Sequence, residues 1–206
     1  MPGSVHASIA VSLDGFVAGP NDRVGNGLGD GGERLHEWIF ESASWRERHG
    51  LEGGERDPNS EVLEESFART GAFVMGRRMF DLGERPWGDE PPFHMPVFVV
   101  THRPRETLEK QGGTTFTFVT EGLEHALELA RAAAGDKDVL ISGGGQVISQ
   151  LLRARLLDDL QLHLVPIFLG GGVPLFEGGD LEDLGLEPTR VIASPQVTHI
   201  RYRVVR

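Results

Sequence analysis

The chain contains no cysteine, which excludes disulfides, zinc–thiolate centres and thiol nucleophiles together. A reducing compartment tolerates such a composition, and the cytoplasm is the expected location. No stretch approaches the roughly 18 consecutive apolar residues of a membrane-spanning helix. The N-terminal run MPGSVHASIAVSLDGFVAG also lacks the basic start and unbroken apolar core of an export signal. Positive charge is scarce: 20 Lys and Arg stand against 31 Asp and Glu, a formal net charge of −11. That balance opposes non-specific attraction to nucleic acid or anionic membranes, so neither is an expected partner. An anionic ligand must therefore be held by local positive features. At 206 residues and 39% hydrophobic, the chain can bury a core without staples, and one domain over residues 1–206 is expected.

What is present is an alternation of strand-like and helix-like stretches. HASIAVSLDGFVAG predicts a first strand from about Val5 to Val11, turning at Asp14-Gly15. The glycine-dense stretch from Gly19 to Gly32 is too long for a simple connection; it reads either as a functional lid or as plain disorder. ERLHEWIFESASWRE predicts a helix with Leu35, Trp38 and Ile39 on one face. SEVLEESFARTG predicts another, capped by Asn59 or Ser60 and stopped at Gly71. AFVMG, MPVFVVTHRP and TTFTFVT read as strands, RRMFDLGE as a helical turn or two, and GLEHALELARAAAGD as an amphipathic helix ending at Gly135. LDDLQLHLVPIFLGGGVPLFEGG predicts a long alternating strand with a glycine triplet, and the tail predicts two strands joined at Ser194-Pro195. Helices between strands followed by a strand-rich tail predict an α/β fold: a mainly parallel central sheet with an antiparallel C-terminal edge and helices on both faces. Gly15, Gly76 and Gly143 would then mark strand ends on one edge of the sheet, where ligands of such sheets bind.

The chemistry-bearing stretch is DVLISGGGQVISQLL, in which a short apolar strand runs through Gly143, Gly144 and Gly145 into a helix. Backbone N–H groups at such a helix start, with the positive end of its dipole, suit a phosphate. A tight turn that only needs room for packing has the same sequence. Neither a P-loop nor the full dinucleotide fingerprint is present, since Gln146, Val147 and Ile148 follow the triplet. Gly76 precedes Arg77 and Arg78, a pair that fits a phosphate clamp or a solvated surface. VVTHRP ends a strand with Thr101, His102 and Arg103.

In this order, SLDGFVAG, FVMGRRMF, VFVVTHRP, LISGGGQVISQLL and LVPIFLGGGVPLF resemble the dihydrofolate reductase-like family. Within it, they are most similar to the reductase domain of the bifunctional riboflavin-biosynthesis deaminase/reductase, from about Ser8 to Gly179. The resemblance implies an NADPH-dependent reductase acting on a small heterocyclic or ribosylaminopyrimidine-type substrate, as in 5-amino-6-(5-phosphoribosylamino)uracil reduction. It implies that Gly76 to Met79 and Thr101 to Arg103 hold the adenosine 2′-phosphate, with Arg77 and Arg78 as the clamp. It implies further that Gly143 to Val147 lie against the pyrophosphate, that Val17 and Ala18 contact cofactor, and that Gly144-Gly145 is a cis peptide. The Gly19–Gly32 stretch matches the family's mobile loop over the nicotinamide. Asp14 is the implied substrate-facing carboxylate or proton relay, and Glu37, with Glu33 beside it, a candidate proton donor. Trp38 and Phe176 are candidate pocket walls. Relatives pair as homodimers, so a homodimer is expected. The chain lacks a GESQW-like segment and a DDPxLTVR-like run, departures that bear on substrate more than on cofactor. A non-catalytic NADP(H)-binding module and a dihydrofolate reductase proper are the alternative readings.

Overall fold

The computed structural model describes residues 3–176 and 181–205. In chain order these form strands β1 (Val5–Ser12) and β2 (Phe16–Ala18), helices α1 (Glu37–Glu41), α2 (Ala43–Arg48) and α3 (Pro58–Arg69), then β3 (Thr70–Gly76) and α4 (Arg77–Trp87). Strands β4 (Pro96–Val100), β5 (Leu108–Glu109) and β6 (Thr115–Val119) lead to α5 (Leu123–Ala134), β7 (Asp138–Ile141) and α6 (Gly145–Arg153). Strands β8 (Asp159–Val165), β9 (Val173–Pro174), β10 (Gly185–Ala193) and β11 (Thr198–Val205) complete the order. Nine strands form one sheet in the order β10-β11-β8-β1-β7-β3-β4-β6-β5, and β2 pairs β9 in a small ribbon. The six strands from β8 to β6 are parallel. At the C-terminal side β11 and β10 turn antiparallel, as expected; β5 adds a second antiparallel edge.

Alternation along the strands sorts the core onto the two faces. Val5, Ala7 and Val11 of β1 pack with α5 and α6, while Ala10 joins Leu35, Trp38 and Leu63 on the other face. There Phe73, Met75, Phe80, Phe93 and Phe116 form an adjoining aromatic cluster. Helices thus cover both faces of the sheet.

Several boundaries differ from the sequence expectation, each for a local reason. The helix expected over ERLHEWIFESASWRE is broken into a 3-10 turn, α1 and α2. Ser42 is extended between the two helices (φ −71°, ψ 135°) and its side chain accepts from the Trp45 N–H, a hydroxyl competing with the helical ladder. The cap of α3 is Asp57, whose carboxylate accepts the Ser60 N–H at 2.9 Å, with Pro58 in the first turn, rather than Asn59 or Ser60. Gly71 lies inside β3, where a Cβ would sit 2.8 Å from the Ala134 backbone; it serves the approach of α5 rather than stopping a helix. Helix α4 runs on to Trp87, whose ring covers the space a Cβ on Gly83 would need. Strand β8 ends at Val165, before Pro166, so the long alternating strand divides. Strand β10 starts earlier than expected and tolerates Pro188 next to a register shift because it is an edge.

Asn59, displaced from capping, anchors a buried polar chain. Its amide N–H₂ faces Asp57 (2.7 Å) and Gln196 (3.1 Å), which leaves its oxygen to accept from His199 Nε2 at 2.9 Å. His199 Nδ1 then accepts from His163 Nδ1 at 2.6 Å, and His163 Nε2 accepts from the Ser8 hydroxyl at 2.8 Å. Every neutral partner is satisfied in this direction. Nearby His6 is buried, and among the described residues neither of its ring nitrogens has a hydrogen-bond partner.

Candidate functional site

Strands β1, β7 and β3 are adjacent and parallel, so Ser12, Ile141 and Gly76 end at one edge. Beyond Ile141 the backbone turns through positive φ at Gly143 (143°) and Gly144 (87°) before α6 begins. The Gly144–Gly145 peptide is trans, contrary to expectation; the two positive-φ glycines make the turn. The three glycines have different reasons to lack a side chain. A Cβ at Gly143 would lie 2.9 Å from Met79 Sδ, and one at Gly145 would lie 2.7 and 2.9 Å from the carbonyls of Leu175 and Pro174. Gly144 faces open space apart from Val147 Cγ2 at 3.8 Å. The amides of Gly143, Gly144, Gly145 and Gln146 make no backbone hydrogen bond among the described residues. Gly76 adjoins this turn, since a Cβ there would be 3.1 Å from Val147 Cγ2. Gly76, Met79, Gly143 to Gly145 and Val147 therefore meet at one place. The β2–β9 ribbon joins them from the other side, with Ala18 opposite Val173 and Val17 between paired positions.

The two arginines that open α4 separate. Arg77 turns toward β4: its Nε donates to Asp81 at 2.7 Å and its Nη1 to the Arg103 carbonyl at 3.2 Å. Its guanidinium also lies 5.5 Å from the Phe118 ring centre. Arg103 Nη2 donates to the other Asp81 oxygen at 2.7 Å, and the Arg103 N–H is received by buried Thr101 Oγ1 at 3.0 Å. His102 is exposed between them. Arg78 instead reaches the Gly19–Gly32 loop, donating from Nε and Nη2 to the Asp22 carboxylate, with the Nε contact at 2.9 Å. Arg77 thus shares a carboxylate with Arg103 and lies apart from Arg78. The carboxylates Asp81 and Asp22 were not singled out in the sequence. The Arg77–Asp81 spacing of four residues on a helix was the available signal.

The Gly19–Gly32 loop is folded on itself. Gly19 N–H donates to Leu28 O (2.8 Å) and Asp30 N–H to Pro20 O (2.7 Å). The Asp30 carboxylate accepts from Asn21 and Asn26, and these contacts hold it below the usual carboxylate range.

Asp14 lies at the β1–β2 turn with its carboxylate already occupied. It accepts from Ser12 Oγ at 2.5 Å, from Gly170 N–H at 2.7 Å and from Leu169 N–H at 3.1 Å. The Ser12 hydroxyl is the largest cause holding its pKa below the usual range, with the two amides adding to it. A carboxylate so held is an acceptor at neutral pH, and it pins the 166–172 loop to β1. Glu37 is exposed at the start of α1. Trp38, an expected pocket wall, is only 2% exposed; its ring packs on His163 and His199 and its Nε1–H donates to Leu35 O at 3.0 Å. It belongs to the core. Phe176 is 40% exposed beyond β9.

The RibD C-terminal domain family matches residues 4–200. The Bacillus subtilis protein YyaP, itself uncharacterized, is 21% identical over 174 residues, covering 82% of this chain and 77% of its own. A crystal structure named for riboflavin biosynthesis, from Shewanella sp. PV-4, superposes with a TM-score of 0.69 at 25% identity, covering 98% of this chain and 99% of its own. The Thermotoga maritima diaminohydroxyphosphoribosylaminopyrimidine deaminase/5-amino-6-(5-phosphoribosylamino)uracil reductase gives 0.61 at 15% identity over 98% of this chain and 56% of its own length. Enterococcus faecalis dihydrofolate reductase, complexed with NADP(H), gives 0.56 at 13% over 99% of this chain and 98% of its own.

Proposed function

Because the chain belongs to the RibD C-terminal domain family, we propose that it is an NADPH-dependent reductase of a small heterocyclic or ribosylaminopyrimidine-type substrate, similar to 5-amino-6-(5-phosphoribosylamino)uracil. One observation carries this reading: Gly144 presents an open backbone turn at positive φ, flanked by amides with no backbone partner among the described residues, at the meeting point of three strand ends. A pyrophosphate fits such a turn, since it accepts N–H groups and needs the close approach a side chain would block. Arg77, just past β3, and Thr101 and Arg103, just past β4, lie together beside it and suit a further phosphate. Bound NADPH would supply the hydride; the residues of this chain bind and orient it. The Gly19–Gly32 loop would exclude water, and Asp14 would hold the 166–172 loop at the substrate side while accepting a hydrogen bond.

Calorimetric titration with NADPH and NADH tests the proposal. Wild-type protein is expected to prefer NADPH, and Arg77→Gln to weaken NADPH at least tenfold with little change for NADH. Equal losses for both would remove the clamp, and binding of neither would remove the cofactor site. A second reading, an NADP(H)-binding module without turnover, draws support from Asp14, whose carboxylate is already engaged and ionised. Steady substrate-dependent oxidation of NADPH excludes it. The proposal also takes the enzyme to be a cytoplasmic homodimer using the exposed β10 edge, where Val191 is 61% exposed; sedimentation velocity decides that point.

A further inference from the structure

Two guanidiniums from different strand ends share one carboxylate in this structure. Arg77 donates to one Asp81 oxygen and Arg103 to the other, both at 2.7 Å. Arg77 is restrained further by the Arg103 carbonyl and by the Phe118 ring, and its side chain is only 20% exposed; that of Arg103 is 67% exposed. The neighbouring arginines have their own acids, Asp22 for Arg78 and Glu84 for Arg105. Arg77, Arg103 and Asp81 therefore form a unit of net positive charge, with the Arg105–Glu84 pair beside it, in a strongly acidic protein.

Resting on the cofactor reading above, we propose that Asp81 sets the affinity of this site, as a resident counter-ion that a phosphorylated ligand must displace from Arg103. The carboxylate carries one charge and already satisfies both arginines. A phosphomonoester carries about −1.5 to −2 and three acceptor oxygens, enough to draw Arg103 away while Asp81 keeps its hold on Arg77. A ribose hydroxyl has no charge with which to compete. Asp81 therefore lowers the affinity of this corner for a phosphorylated dinucleotide and leaves that for an unphosphorylated one little affected.

The test is calorimetric titration of wild type and Asp81→Asn with NADPH, NADH, adenosine 2′,5′-bisphosphate and 5′-AMP, with melting curves for both proteins. Asparagine keeps the shape and removes the charge. The expected result is tighter binding of the two 2′-phosphorylated ligands by about fivefold, the weight of one unit charge a few ångströms away in largely aqueous surroundings, with NADH and 5′-AMP little changed. The gain should shrink in 0.5 M salt, as screening requires. Asp81→Ser, which also removes the charge, should move affinity the same way. Weaker or unchanged binding of the phosphorylated ligands by both variants, with wild type still preferring NADPH, overturns the role of Asp81 alone and leaves the cofactor reading standing. Binding of none of the four ligands by wild type or variant overturns both.

Discussion

An alanine at Gly145 would put its Cβ 2.7 Å from the Leu175 carbonyl, whereas one at Gly144 would meet nothing closer than 3.8 Å but would have to adopt φ 87°. The two substitutions therefore fail for different reasons. Gly145→Ala must push β9 off α6, an overpacking cost of about 1–3 kcal/mol. Gly144→Ala carries the backbone penalty of φ 87° with ψ 102°, outside the left-handed helical well, about 1–3 kcal/mol. Each kilocalorie should lower Tm by about 2–4 °C for a chain of this size. The separating measurement is NADPH titration at a temperature where both variants are folded. Gly144→Ala is expected to lose affinity at least as severely as Gly145→Ala, because its methyl enters the space in front of the turn. Full affinity in Gly144→Ala would mean that no ligand approaches the turn and that Gly144 serves the backbone conformation alone.

At the scale of elements, the Gly19–Gly32 loop is held to α4 by Arg78 and Asp22, whose side chains are 65% and 14% exposed. An ion pair this open is worth about 1 kcal/mol or less, too little to change the fold but enough to bias a loop that otherwise rests on its own turns. Arg78→Gln should leave Tm within about 4 °C while amide hydrogen exchange across residues 19–32 accelerates severalfold relative to the rest of the chain. Unchanged exchange would show that the Asn21–Asp30–Asn26 contacts alone hold the loop. The helical region before α3 teaches a related lesson. The apolar stripe Leu35, Trp38 and Ile39 was visible in the sequence. The break at Ser42 was not, because a serine hydroxyl chooses between solvent and a backbone N–H only once the next helix is in place.

For the whole molecule, acid stability follows from histidines buried as neutral groups. Burial is the largest cause that pushes His6, His36 and His199 down to about 4, and it holds His163 well below its ordinary value. In the unfolded chain these rings take up protons near pH 6.5. Between pH 6.5 and about 4 the unfolded chain therefore binds more protons at these rings, so stability falls as pH is lowered through that window. Each histidine contributes at most about 1.4 kcal/mol per pH unit. Denaturant midpoints at pH 7, 6, 5 and 4.5 should trace this decline. His6→Leu, which replaces a ring without hydrogen-bond partners, should make it shallower. An identical slope would mean that His6 is hydrated before the molecule unfolds.

The order of elements, the antiparallel tail turning at Ser194-Pro195 and the grouping of Gly15, Gly76 and Gly143 at one edge were legible in the sequence. They depend on hydrophobic period and turn chemistry, which neighbouring residues set among themselves. What surrounds each of these positions was decided by tertiary structure. Asp14 looks like a turn residue until the backbone of Leu169 and Gly170, 155 residues or more away, closes on its carboxylate. Arg77 and Arg78 look like one pair until α4 directs one guanidinium to Asp81 and Arg103 and the other to Asp22. Adjacent helical residues point about 100° apart, so a doublet in sequence is not a doublet in space. Local propensity chose the elements; the sheet order, by bringing distant strand ends together, chose the partners of every charged group at the site.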